Sequence, residues 1–237
     1  MHKFYQLKIK AVTPEPNAVI WTLEIPDNLA EEFNYLPGQH LTFKATINGE
    51  ELRRSYSICS SPKRKGELDV LIKTVADGRF SQAAIKDFQA GAAVEVLPPS
   101  GHFVLNPQAD HVYVGFAAGS GITPVMGMIY ATLEQSEQAR FILFYGNSKT
   151  SDVLLHDHIA ELKDRFGTRF SVHYFLSRQR VDVPLYQGRF DQKKIEKLFK
   201  YVLHGIDVKG YYVCGPGPMI DTVCASLAAM GIDESII

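Results

Sequence analysis

A change of hydrophobic rhythm near Asp110 is the strongest constraint on how this 237-residue chain folds. Before it, β-branched and aromatic residues come in short runs at residues 4–12, 19–25, 40–47, 54–59, 68–75 and 93–97. Pro37-Gly38, Asn48-Gly49, Lys65-Gly66 and Pro98-Pro99 with Gly101 separate them, and Asn-Gly is a type I′ hairpin signal. Short strands at hairpin spacing predict a six-stranded antiparallel β-barrel, with one helix over residues 81–89 capped by Ser81. After Asp110, strand-like runs at 111–117, 141–145, 170–176 and 211–214 alternate with helical spacing, as in Leu155, Ile159, Leu162 and Phe166. That alternation predicts a Rossmann-like parallel sheet with helices on both faces. The boundary falls at Asn106-Pro107-Gln108-Ala109, giving expected domains at residues 1–107 and 108–237.

Composition narrows the function class mainly by exclusion. A formal net charge of -1 gives no hint of nucleic acid as a partner. The first ten residues alternate polar and apolar without a signal-peptide core, and no run approaches the roughly 18 apolar residues of a membrane span. A cytoplasmic location without a membrane partner is the expectation. Cys59, Cys214 and Cys224 are too few and too odd for a disulfide framework, and they lack the four-cysteine spacing of a plant-type iron–sulfur cluster. His156 and His158, two apart on a helix, do not share a face, so no metal site is expected.

Three stretches carry chemistry. Arg54-Ser55-Tyr56-Ser57 places a guanidinium, a ring and hydroxyls on one strand, a set suited to a flat phosphorylated cofactor. Gly119-Ser120-Gly121-Ile122-Thr123-Pro124 follows an apolar strand and opens a helix, the context in which a backbone receives a pyrophosphate. Pro124 stands where a third glycine would be, and no acid ends the next strand, so the loop is either a phosphate turn or a plain strand-to-helix turn. Ser177-Arg178 ends the third strand of this half, either as a 2′-phosphate clamp or as a solvated loop charge. Cys214 is either a core cysteine or a site residue. Arg53 is either a second phosphate contact or a strand charge, and Lys63-Arg64-Lys65 either steers an acidic carrier or is a solvated turn. Two cofactor stretches in this order suggest electron transfer between two bound dinucleotides.

These motifs, with Pro37-Gly38-Gln39-His40, Gly78-Arg79-Phe80-Ser81, Gly101-His102-Phe103, Tyr145-Gly146-Asn147 and Cys214-Gly215-Pro216-Gly217-Pro218-Met219, resemble in order the ferredoxin–NADP⁺ reductase superfamily. More narrowly, residues 37–41 and 49–59 resemble oxygenase reductases of the phenylacetyl-CoA epoxidase type. The resemblance implies an enzyme that passes electrons from NAD(P)H through FAD to a [2Fe-2S] ferredoxin, fused or separate, and on to an oxygenase. A general ferredoxin or flavodoxin reductase and a non-catalytic nucleotide-binding subunit remain the alternatives. It also implies roles. Tyr56 packs on the isoalloxazine, Arg54 pairs with the FAD pyrophosphate beside Ser55, and Ser57 reaches flavin N5. Ile72, Lys73 and Thr74 run beside the ribityl-adenine part, and Gly78, Phe80 and Ser81 offer N–H groups to the diphosphate. Gly119, Ser120, Gly121, Ile122, Thr123 and Pro124, with Gly146, Asn147, Ser177 and Arg178, would hold NADP(H), with NAD(H) as the other candidate. Thr123 lies near the flavin–nicotinamide junction. Cys214 lies beside nicotinamide C4, with Gly215, Pro216 and Met219 around it. Ser57 and Cys214 are the expected catalytic pair.

Overall fold

A computed structural model describes residues 3–237. By its contacts the chain divides into two units: the described residues up to Asn106 with Met126–Ala131, and Pro107–Val125 with Thr132–Ile237.

The first unit is built on β1 (Tyr5–Glu15), β2 (Ala18–Glu24), β3 (His40–Ile47), β4 (Glu50–Ser57), β5 (Glu67–Lys73) and β6 (Ala93–Val96). They form one six-stranded sheet in the order β4-β3-β6-β1-β2-β5, antiparallel at every step. Its two end strands meet at one isolated bridge, Ile58 to Val70, reinforced by the Cys59 N–H donating to Asp69 O at 2.9 Å. The sheet thus closes into a barrel at one point, and β4 and β5 are otherwise unpaired with each other among the described residues. Asn48 and Gly49 both take positive φ (52° and 78°), as a type I′ turn requires, and they set Ile47 opposite Glu50. The strand expected at 54–59 therefore begins four residues earlier. Pairing with β3 carries the charged run Glu50-Glu51-Leu52-Arg53 into the sheet despite its weak β-propensity. Trp21, Phe43 and Phe80 fill the core, with ring centroids 5.7 Å apart for Trp21 and Phe43 and 6.3 Å for Trp21 and Phe80.

The helix expected at 81–89 is α1 (Arg79–Lys86), and its N-cap is Gly78 rather than Ser81. Ser81 cannot cap because it lies inside the first turn, where its hydroxyl donates to Gly78 O (2.9 Å) and accepts from the Val75 N–H (3.2 Å). Arg64 of the expected basic turn is also engaged: it pairs with Glu67 and with Asp69, a carboxylate only 6% exposed that also accepts from Thr22. A buried carboxylate needs such partners, so Arg64 supports the fold and is not free to steer a carrier.

In the second unit β7 (Val112–Ala118), β8 (Arg140–Asn147), β9 (Phe170–Leu176) and β10 (Val208–Cys214) form a parallel sheet ordered β10-β7-β8-β9. The chain steps outward from β7 to β9 and then crosses back to lay β10 on the other side of β7. Between the strands run α2 (Ile122–Gln135), α3 (His156–Phe166) and α4 (Gln192–Tyr201), and α5 (Gly217–Ala229) follows β10. Ile195 and Leu198 of α4 and Val223 and Leu227 of α5 share one core with Val114, Phe116, Ile142, Phe144 and Phe175. Each such leucine or isoleucine, once buried, contributes about 2 kcal/mol relative to exposure. Among the described residues no helix is long and apolar enough to cross a membrane, and no three His, Cys, Asp or Glu converge as a metal site.

Candidate functional site

Alternation along β4 puts Leu52, Arg54 and Tyr56 on one side of the strand. Leu52 is buried, and Tyr56 packs its ring on Phe43 (5.9 Å) and Phe80 (5.8 Å). Burial pushes the Tyr56 phenol up to about 12, so the ring is neutral at physiological pH. Arg54, opposite Phe43 in the ladder, is nevertheless exposed, because β4 has no strand partner on that edge. Three guanidiniums surround this strand and two are taken. Arg53 is held by Glu51 (2.7 Å and 2.9 Å), and Arg79 pairs with both oxygens of Glu50 (2.6 Å and 2.8 Å). Arg54 donates to Arg53 O (2.7 Å) and is in no ion pair among the described residues.

Neighbouring groups of the expected flavin stretch divide into free and engaged. The Ser55 hydroxyl bonds Thr42 across the ladder at 2.9 Å, and Ser57 is half-buried opposite His40. Ile72 is fully buried and can offer only its backbone, while the Thr74 N–H donates to Asn17 O at 2.8 Å and Lys73 is half-exposed. At the start of α1 the N–H groups of Arg79 and Phe80 precede the first turn of helical bonding, but the Ser81 side chain is consumed by the loop.

In the second unit the strand order reverses between β7 and β10, the topological switch point at which open α/β sheets bind ligands beyond their carboxyl ends. The loops leaving both strands meet there. A Cβ on Gly121 would stand 2.2 Å from Cys214 O and 2.8 Å from Gly215 N, so this position is glycine because a neighbouring strand end lies against it. This packing demand stands beside the expected one, close approach of a pyrophosphate to the turn's backbone. Gly119 takes φ 54°, its carbonyl accepts from the Tyr145 hydroxyl (3.0 Å), and the Thr123 hydroxyl donates to Ser120 O (2.9 Å). The Ile122 and Pro124 side chains are buried, which leaves the turn's backbone and the exposed Ser120 as its polar surface. Cys214 is half-buried and burial raises its thiol above the ordinary range, so it is protonated at neutral pH. Gly215 lies against Met219 and Ala118, and Pro216 caps α5.

Further along the same sheet edge, Asn147 is buried and its Nδ2 has no hydrogen-bond partner among the described residues. Gly146 lies against Phe190. Ser177 and Arg178 are tied to the exit of β8 by their N–H groups, which donate to Asn147 O (3.0 Å) and Ser148 O (2.8 Å). Gln179 accepts from the Thr150 N–H (2.9 Å). Gln187, which no sequence signal singled out, donates to Leu176 O and accepts from the Val181 N–H, both at 3.1 Å, pinning the turn that carries Arg178 and Arg180. The structure therefore gathers residues 119–124, Cys214, Gly215 and Met219 at the switch point, and Asn147, Ser177 and Arg178 at the exits of β8 and β9. The residues present fit dinucleotides in both units: among the described residues Arg54 on β4 is exposed and in no ion pair, as suits a phosphate ligand, and the buried Asn147 Nδ2 has no hydrogen-bond partner, a donor suited to a ligand acceptor.

Comparison with known proteins agrees. Residues 8–105 match the oxidoreductase FAD-binding domain family and residues 116–225 the oxidoreductase NAD-binding domain family. The whole chain is 37% identical over 240 residues to a subunit of 1,2-phenylacetyl-CoA epoxidase from Escherichia coli, and it spans 67% of that protein. It is 31% identical over 215 residues (89% of the chain) to the ferredoxin reductase component of 3-ketosteroid-9-alpha-monooxygenase from Rhodococcus rhodochrous, and spans 57% of that protein. Its fold matches the FAD/NAD-binding domain of a nitric oxide dioxygenase from Vibrio cholerae with a TM-score of 0.85 at 19% identity, covering 100% of this chain and 97% of the other.

Proposed function

Because the chain belongs to the ferredoxin–NADP⁺ reductase family of FAD- and NAD-binding oxidoreductases, we propose that it is the reductase component of an oxygenase of the phenylacetyl-CoA epoxidase type. Residues 1–107 are assigned to FAD and residues 108–237 to NAD(P)H, with electrons leaving to a [2Fe-2S] carrier, fused or separate, in the cytoplasm. The observation that carries this reading is the 37% identity to a component of that epoxidase along the whole of this chain, with the oxygenase-type motifs on β3 and β4 in place.

A bound FAD would supply a two-electron hydride acceptor that can also release electrons singly. The protein's part is positioning and charge. Tyr56, neutral and braced by Phe43 and Phe80, presents a rigid ring face for the isoalloxazine. Arg54 neutralises diphosphate charge without first breaking an ion pair. The Ser57 hydroxyl is assigned to the proton at flavin N5. Cys214 offers a small protonated thiol beside nicotinamide C4, adding no charge where a hydride departs, and Gly215, packed against Met219 and Ala118, adds no side chain of its own there. The turn at residues 119–124 receives the NAD(P)H phosphates on its backbone, and Ser177 with Arg178 takes the 2′-phosphate of NADPH.

Purified protein reconstituted with FAD should bleach at the flavin absorbance on anaerobic addition of NADPH and then reduce a [2Fe-2S] ferredoxin. Protein that binds no FAD overturns the assignment. Protein that bleaches but passes electrons only to flavodoxin or dyes overturns the iron–sulfur acceptor alone.

A further inference from the structure

We propose that Arg79 is a second anion-recognising guanidinium of the flavin site, held in reserve by Glu50, and that the pair sets the affinity for the adenosine diphosphate half of FAD. This rests on the reading that FAD lies along β4. Glu50 is the first residue of β4 and Arg79 the first of α1, so their two-pronged contact (2.6 Å and 2.8 Å) spans the unpaired edge between the strand and the helix. Glu50 lies on the same side of β4 as Arg54 and Tyr56, further along in the direction away from the ring. Phe80 is buried against Tyr56, which anchors the backbone of Arg79 while its long side chain stays in solvent.

Both partners are about half exposed (47% and 59%), and an ion pair in that setting contributes little to folding. It is well placed for exchange. The Arg79 guanidinium holds the Glu50 carboxyl below the usual carboxylate range, so Glu50 is ionised at neutral pH and repels an arriving diphosphate. When FAD binds, Arg79 trades a carboxylate for a phosphate of the same two-pronged geometry. Glu50 is therefore an internal competitor, and its charge works against FAD.

The test is the affinity of the full chain, freed of flavin, for FAD and FMN, followed by quenching of flavin fluorescence. Glu50→Gln should bind FAD several-fold more tightly, because it removes the competitor and its charge. Arg79→Gln should bind FAD about tenfold more weakly, the scale of one charged hydrogen bond. FMN, which keeps only one of the two phosphates and no adenosine, should respond to both more weakly than FAD. If both variants weaken FAD binding, or both change FAD and FMN alike, the pair is a strut between β4 and α1 and the proposal is overturned. Arg54→Ala separates the two levels. FAD binding that falls with Arg54→Ala but ignores Glu50→Gln and Arg79→Gln overturns the reserve alone, whereas indifference to all three overturns the flavin reading of β4 as well. All three substitutions are on the surface, and matching circular dichroism and Tm would exclude misfolding as the cause.

Discussion

A Cβ placed on Gly121 would stand 2.2 Å from the carbonyl oxygen of Cys214. The backbone of Gly121 is ordinary helix (φ -62°, ψ -11°), so its demand is for space alone. Gly121→Ala would drive a methyl into the carbonyl that ends β10, and neither partner is a side chain that can rotate away. A loss of about 3 kcal/mol is expected, a Tm lower by roughly 6–12 °C. Gly217→Ala, at the start of α5 where an added Cβ meets nothing within 4 Å, should leave Tm nearly unchanged. Thermal melts of the two variants decide the point. A Gly121→Ala protein as stable as the parent would mean the two loops are not in contact.

Arg169 supplies a cation that α2 lacks. The last turn of this helix carries no basic residue, and the Arg169 Nη1 donates to Leu133 O (3.0 Å) and Ser136 O (2.5 Å) where the helix ends. A guanidinium there satisfies carbonyls with no helical partner and faces the negative end of the helix dipole. Arg169→Ala should cost about 1–2 kcal/mol and lower Tm by a few degrees. Arg169→Lys should recover part of the loss. Equal melting of wild type and Arg169→Ala would contradict the capping role.

Much of the fold was legible because it is local. Asn48-Gly49 announced its hairpin, and the runs at 40–47 and 170–176 coincide with β3 and β9. The misplaced start of α1 came from reading Ser81 by residue type, when its hydroxyl is used inside the first turn. The early start of β4 was hidden because its charged residues are strand only by virtue of their partner. In the candidate site, the motifs singled out Arg54 and, through the family resemblance, Cys214. They did not disclose that Arg53 and Arg79 are neutralised, that Gln187 pins the Arg178 turn, or that Gly121 answers to Cys214. Each of those depends on residues brought together from different elements, and no pattern along the chain encodes them.

Arg178 should decide between the two nicotinamide cofactors. It is exposed, in no ion pair among the described residues, and its backbone is fixed to Ser148. Losing a guanidinium–phosphate contact costs about 1.5–3 kcal/mol, so Arg178→Ala should lower kcat/KM for NADPH by roughly 10- to 100-fold, mainly through KM. NADH, which has no 2′-phosphate, should be unaffected. An unchanged NADPH/NADH ratio of kcat/KM would remove Arg178 from cofactor selection.

Stability should fall on the alkaline side. Burial raises the thiols of Cys59 and Cys214 above their ordinary range and pushes the Tyr56, Tyr211 and Tyr212 phenols up to about 12. In the unfolded chain thiols ionise near about pH 8.5 and phenols near about pH 10. Between those values and the raised native ones the unfolded state binds fewer protons than the folded one, so the free energy of unfolding decreases as pH rises. The contribution is fully present below about pH 8.5, shrinks first as unfolded thiols ionise, and shrinks faster above about pH 10 as phenols follow. Urea unfolding at pH 7.5, 9.5 and 10.5 would measure it. Cys59→Ala should flatten the first part of the decline and leave the second intact, because it removes the most deeply buried thiol and no phenol. A stability that stays level or rises from pH 7.5 to 10.5 would show that these groups ionise as readily in the folded protein as in the open chain.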